Sequence, residues 1–177
     1  MQHALQSEHL YYREFLPEDA RALFEMDSDP EVHRYLYDAT ATDIEKVSGV
    51  IDYIRQQYID NGFGRMATFE KATGEFVGWT GLKLERNVNG HETFYDIGYR
   101  FRQKHWGKGY ATEATKFFLT YAFAVLKVQK VNGFAFTGNA ASRRVLEKCG
   151  LKVVKTFEFA GVESVWYEIR NSDHEKA

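Results

Sequence analysis

The chain opens on short apolar runs and soon settles into two clear periods. Leu10 to Phe15 reads as a strand. Pro17 suits the first turn of a helix, with Glu18 and Asp19 at its positive end. Ala20, Leu23 and Phe24 form the inward face of that helix, and Asp29-Pro30-Glu31 starts a second short one through Tyr35. From Thr42, Ile44, Val47, Ile51, Ile54 and Tyr58 recur at steps of three and four. This predicts an amphipathic helix ended by Asn61-Gly62. The period then drops to two. Strands are predicted over 65–70 and 75–84, joined by Lys71-Ala72-Thr73-Gly74, and over about 92–101. In the last, Tyr95, Ile97, Tyr99 and Phe101 share one face, and Phe94, Asp96, Gly98 and Arg100 share the other.

The helical period returns after Gly107-Lys108-Gly109, with Tyr110, Ala114, Phe117, Phe118, Tyr121 and Val125 on one side of a long helix. A strand follows over 131–137. Asn139 caps a further helix that runs to Lys148 and stops at Gly150. Two strands, 151–159 and 162–169, close a hairpin around Ala160-Gly161. Strand, helices, three strands, helix, strand, helix and two strands make a mixed α/β or α+β layer architecture. With no linker, repeat or low-complexity tract, the 177 residues read as a single domain. Its core spans about 8–170, and the polar segment 171–177 reads as a frayed tail.

Composition narrows the chemistry. Aromatics reach 16% of the chain, enough for a ring-rich core, an aromatic-lined pocket or a homodimer interface. Lys plus Arg (23) and Asp plus Glu (25) nearly cancel, so nucleic acid is not the expected partner. Cys149 is the single cysteine, which forbids an internal disulfide and fits a reducing, cytoplasmic setting. Cys and His do not cluster with metal-ligand spacing, so no metal is expected. No apolar run is long enough to span a membrane, and Met1 to Glu8 lacks the pattern of a secretory signal.

The most informative stretch runs from Phe101 through Lys104, His105, Trp106, Gly107, Lys108, Gly109, Tyr110 and Ala111 to Ala114. A strand ends, two glycines follow, and a helix begins. Glycines let backbone approach a ligand closely, and the free amides of a helix start form an anion site. Lys104 and Lys108 would add positive charge. The same pattern also fits a tight structural turn. A Walker A loop is excluded because Gly109 follows Lys108, and the three-glycine dinucleotide fingerprint is absent.

Trp106-Gly107-Lys108-Gly109-Tyr110-Ala111-Thr112-Glu113-Ala114, in this order of elements, resembles the GNAT family of N-acetyltransferases, and within it the ribosomal-protein (RimJ/RimL-like) branch. Gly74 to Leu82, Asp96-Ile97-Gly98-Tyr99, Asn139-Ala140-Ala141-Ser142 and Glu147-Lys148-Cys149-Gly150-Leu151 match in register, so the resemblance covers about 11–169. It implies a mostly antiparallel, seven-stranded mixed sheet with helices on both faces, splayed between the fourth and fifth strands. It also implies that the amides of Lys104 to Gly109 cradle the pyrophosphate of acetyl-CoA, with Tyr110 and Ala111 opening the helix behind them. Backbone near Ile97, Tyr99 and Phe101 would then meet the pantetheine arm, and Asn139 and Ser142 would lie near its thiol. A primary amine, of a small molecule or a protein N-terminus, attacks the thioester directly, with no acyl-enzyme.

Two departures bear on mechanism. The family's phosphate loop often opens on Gln or Arg, where this chain has Lys104; and Leu146 stands where many members carry a tyrosine acid. Ser142 or solvent is left to protonate the thiolate, and a degenerate acyl-CoA-binding module becomes the alternative reading. A lysine amine (pKa about 10.4) or an α-amine (about 7.7–8.0) is largely protonated at neutral pH, so a base is wanted. Asp96 is the candidate, or else a solvated strand acid; Glu158 and Glu163 are its rivals, or else surface residues. Ser142 reads as a sulfur-side contact or as part of a helix cap. Cys149 reads as a buried small hydrophobe rather than a nucleophile, and His105 as a surface side chain or a cofactor contact. Arg143-Arg144 reach a cofactor phosphate or solvent, and Tyr35, Tyr37 and Trp79 line an acceptor pocket or pack.

Overall fold

The computed structural model describes residues 5–174. Met1 to Ala4, which open the segment read as lacking a secretory signal, and Glu175 to Ala177 of the predicted tail lie outside them. One sheet of eight strands organises the described residues, in the order β1-β2-β3-β4-β5-β6-β8-β7. The strands are β1 (Leu5–Gln6), β2 (Leu10–Arg13), β3 (Arg65–Glu70), β4 (Phe76–Val88), β5 (His91–Phe101), β6 (Lys130–Phe136), β7 (Lys152–Phe159) and β8 (Val162–Arg170). The strand beyond the seven expected is β1, whose two residues pair with Tyr11 and Tyr12. All neighbours are antiparallel except β5 and β6.

A 3-10 turn at Pro17–Asp19 leads into α1 (Ala20–Asp27); then come α2 (Pro30–His33) and α3 (Ile44–Asn61). The long helix is α4 (Tyr110–Ala124), and α5 (Ala140–Lys148) precedes the closing hairpin. The predicted tail instead begins as a short helix, α6 (Asn171–His174), anchored by Asn171 N donating to Gln129 O and by His174 packing against Phe123.

Two cores lie on opposite faces of the sheet. Leu23 and Met26 of α1 and Val47, Ile51 and Ile54 of α3 meet Phe15, Ala67, Phe69 and Phe76. Ala114, Phe118, Leu119 and Ala122 of α4, with Leu146 of α5, meet Tyr12, Val77, Leu82, Ile97, Val131 and Val165. The spacing misjudged both helix ends: Ile44 and Val125 are exposed, the first because it opens α3, the second because it is the cap that follows Ala124. Truncating Ile51, 1% exposed, to Ala should cost about 2–5 kcal/mol.

Candidate active site

The sheet is interrupted where β5 meets β6. Their ladder contains one pair, Asp96 with Asn132, and beyond it the strands part. Gly133 explains the close approach at the crossing. A Cβ there would stand 3.1 Å from Ile97 Cγ2 and 3.2 Å from Leu146 Cδ2, so a side chain would push β6 and α5 away from β5. Ile97, Tyr99 and Phe101 therefore run along a strand edge without a β6 partner, on the face covered by α4 and α5.

At the open end of β5, Gln103–His105 forms a 3-10 turn, and Gly107 and Gly109 adopt φ of 76° and 84°. That left-handed conformation is cheap only for glycine. Neither glycine has any atom within 4 Å of where a Cβ would project, so the space over the loop is open. Among the described residues, the amides of Gly107, Lys108 and Gly109 have no backbone acceptor. Gly109 is the N-cap of α4, whose first-turn amides at Tyr110, Ala111 and Thr112 point the same way as any helix start. Several free N–H groups at the positive end of a helix suit a phosphate.

The lysine charges are not free for that anion. Lys104 Nζ binds Glu75, and Lys108 Nζ lies 3.2 Å from Glu70 Oε1. Tyr110 OH also donates to Glu70, which holds that carboxyl far below its usual range, at about 2. His105 is buried at 4% exposure, against the surface position expected, because it packs on Tyr110 between Lys108 and Glu75. Burial, reinforced by Lys108, lowers its pKa. Trp106 is half exposed and donates its indole N–H to Phe101 O at 2.8 Å.

At the start of α5, Asn139 Oδ1 accepts from Ser142 N at 3.1 Å, so Asn139 is the cap. The Ser142 hydroxyl takes no part in it. It lies 2.9 Å from Tyr99 OH, which also donates to Ser142 O at 2.9 Å. A hydroxyl pair thus spans the cleft from β5 to α5, and burial raises the Tyr99 pKa. Arg143 is tied to Tyr167 OH and Thr137 O, while Arg144 faces solvent. Cys149 is buried, with Sγ 3.6 Å from Thr112 O and its pKa pushed up to about 11.

Asp96 lies on the other side of β5, under α1–α3, and is 7% exposed rather than solvated. Its carboxylate accepts from Arg65 Nη2, and Arg65 Nη1 donates to Asp96 O and Gly81 O. Burial raises the Asp96 pKa and the Arg65 charge opposes the rise. A second, part-buried pair lies nearby, Arg100 Nη1 to Asp27 Oδ1 at 2.9 Å, with His33 Nε2 3.8 Å from the same oxygen. Trp79 stacks with both guanidiniums, each 5.3 Å from its ring. Arg65, Asp27 and Asn132 were not singled out in the sequence, since their partners lie tens of residues away. Glu158 and Glu163 face each other across the β7–β8 hairpin, where alternation puts them on the side opposite Phe157 and Ser164. Tyr37 stands over Phe136 and Phe159 with its hydroxyl 3.1 Å from Ser164 Oγ. Tyr35 is exposed.

Residues 9–152 match the Acetyltransferase (GNAT) domain family. The chain belongs to this family. Among relatives, it is 30% identical over 142 residues to the uncharacterized N-acetyltransferase p20 of Bacillus licheniformis, covering 80% of this chain and 78% of that one. The same fold is seen in the spermidine N-acetyltransferase of Vibrio cholerae in complex with CoA and spermine (TM-score 0.76, 16% identity, 94% and 98% covered). It is seen again in a ribosomal-protein-S5-alanine acetyltransferase of Vibrio fischeri (TM-score 0.77, 14% identity, 97% and 98% covered). The GNAT fold and N-acetyltransferase class expected from the motifs therefore hold, with eight strands in place of seven. The ribosomal-protein branch is not separated from its neighbours, because one architecture serves a polyamine and a protein acceptor. No described helix is long and apolar enough to cross a membrane.

Proposed function

We propose that this GNAT member transfers the acetyl group of acetyl-CoA directly to a primary amine. The observation that carries this reading is the open loop of unpartnered amides at Gly107, Lys108 and Gly109, set where β5 leaves β6. These amides and the start of α4 hold the pyrophosphate. The free edge at Ile97, Tyr99 and Phe101 holds the pantetheine arm in the parted sheet.

The amine comes from the Asp96 face. Asp96, directed by Arg65, takes its proton, and the nitrogen forms a bond to the acetyl carbonyl carbon as the C–S bond breaks. Ser142 Oγ, hydrogen-bonded to Tyr99 OH, gives a proton to the departing thiolate, so the hydroxyl comes from β5 and the start of α5 rather than from position 146. The products are an N-acetyl amine and CoA. A protein N-terminus is one such amine, in line with the motif resemblance.

Calorimetry with acetyl-CoA, CoA and ATP tests the donor site. Binding of acetyl-CoA and CoA but not ATP is expected. A folded protein that binds none of them overturns the reading. Binding without CoA release in the presence of any amine would favour the degenerate binding module, for which the buried Leu146 leaves room.

A further inference from the structure

Among the described residues, no helix covers one half of the sheet on the Asp96 side. The core beneath α1–α3 ends near Phe76 and Trp79, and the cluster beside it contains no helical residue: Val88, Phe94 and Trp166 with Phe134, Phe157 and Phe159. Phe134, Phe157 and Phe159 are half-buried, so ring surface is left bare. Phe134 lies 5.0 Å from Phe159 and 5.6 Å from Phe157, and the 1%-exposed Trp166 floors the group. Tyr37, from the connection between α2 and α3, covers one end, packed edge-on against Phe159 at 4.4 Å and latched to Ser164, and His91 stacks on Trp166 at 5.0 Å at the other.

This surface is continuous with the reaction centre. Asn132, paired with Asp96, and Phe134 are two residues apart on one strand face, about 7 Å along β6. The charges nearby are spent: Asp96 faces Arg65, and Asp27 faces Arg100. A second cation on the acceptor would find no unpaired buried carboxylate among the described residues. A flat apolar group would instead cover ring surface that now faces water.

We propose that the acceptor is a monoamine joined by a short spacer to an aromatic or similarly broad apolar group, which lies on Phe134, Phe157 and Phe159 beneath Tyr37. This rests on the acetyl-transfer reading above and deepens it. Tyr37 must swing aside or tilt to admit the group, and its connecting segment has no ladder bond to hinder that. The Ser164 hydroxyl at the latch would tolerate a hydroxyl on the incoming ring.

The test compares kcat/KM for 2-phenylethylamine, tyramine, ethanolamine, spermidine and an alanyl tripeptide, at saturating acetyl-CoA, in the full chain. The arylalkylamines should exceed ethanolamine and spermidine by tenfold or more. Phe159→Leu and Phe134→Leu should cut the phenylethylamine-to-ethanolamine ratio several-fold through KM, with the acetyl-CoA Kd and the melting temperature as checks on folding. Acetylation with equal or greater efficiency on spermidine or the tripeptide would overturn this inference and leave acetyl transfer standing. So would a dimer that Phe159→Glu dissociates without change in KM, since a second copy would then own the surface. Failure to bind acetyl-CoA or to acetylate any amine would instead remove the reading on which it rests.

Discussion

Two side-chain pairs at the cleft have separable roles. Ser142 contributes its backbone N–H to the Asn139 cap and its hydroxyl to Tyr99. Ser142→Ala keeps the cap, so its melting temperature should change little while kcat falls; an unchanged kcat would remove the hydroxyl from catalysis. Asp96→Asn is less clean, because it leaves the Arg65 guanidinium buried without its carboxylate. Breaking such a pair costs about 3–5 kcal/mol, which melts would register. The catalytic signature is different. Loss of a general base lowers kcat by about 10²–10⁴ and flattens its rise with pH. A less stable variant with a wild-type pH profile would make Asp96 a structural partner of Arg65 and nothing more.

The loop proposed to bind phosphate is an element whose shape is held from outside. Glu70 on β3 and Glu75, just before β4, grip Lys108, Tyr110 and Lys104. Gly109→Val forces a β-branched residue to φ 84° and projects it into the open space above the loop. Acetyl-CoA affinity should fall at least tenfold by calorimetry; unchanged affinity would discard the loop as the anion site. Glu70 adds a pH dependence. Its pKa is drawn down to about 2 by Tyr110, Thr73 and Lys108, from about 4.3 in the unfolded chain. Its stabilisation is therefore complete above about pH 5 and disappears as pH falls toward 2. Glu70→Gln should melt lower than wild type at pH 7, and the gap should shrink below pH 4 and be nearly gone at about pH 2; a gap that persists there would mean packing, not charge, matters.

The loop itself was legible in the sequence because its signal is local: glycines at fixed spacing between an alternating strand and a periodic helix. The braces were not, since Lys108 and Glu70 are 38 residues apart and nothing in either neighbourhood marks them as partners. The same reasoning accounts for His105, whose burial is conferred by Tyr110 and Glu75. β1 escaped notice because two residues carry no period, and α6 because its four polar residues are ordered by contacts with α4 and the end of the α4–β6 connection.

At the scale of the whole molecule, the sheet separates the groups proposed to hold the donor from those proposed to meet the acceptor. The hydroxyl pair, the phosphate loop and the free edge of β5 belong with α4 and α5; Asp96, Arg65 and Tyr37 belong to the opposite face. The two faces meet where Asp96 and Asn132 end the β5–β6 ladder. A nucleophile for a two-step transfer would have to stand at that junction, and the one thiol does not. Cys149 is buried in the α4–α5 core, directed at Thr112 O, with its pKa at about 11, so almost none of it is thiolate at neutral pH. The direct transfer proposed above then requires donor and acceptor to be present together. Initial velocities measured against both substrates should give intersecting double-reciprocal lines, and the enzyme incubated with acetyl-CoA alone should gain no acetyl mass. Cys149→Ala should keep its turnover, at the expense of some core packing. Parallel lines with an acetylated enzyme would mean that the cleft opens far enough to bring a nucleophile between the two faces, and the separation read from the sheet would have to be abandoned.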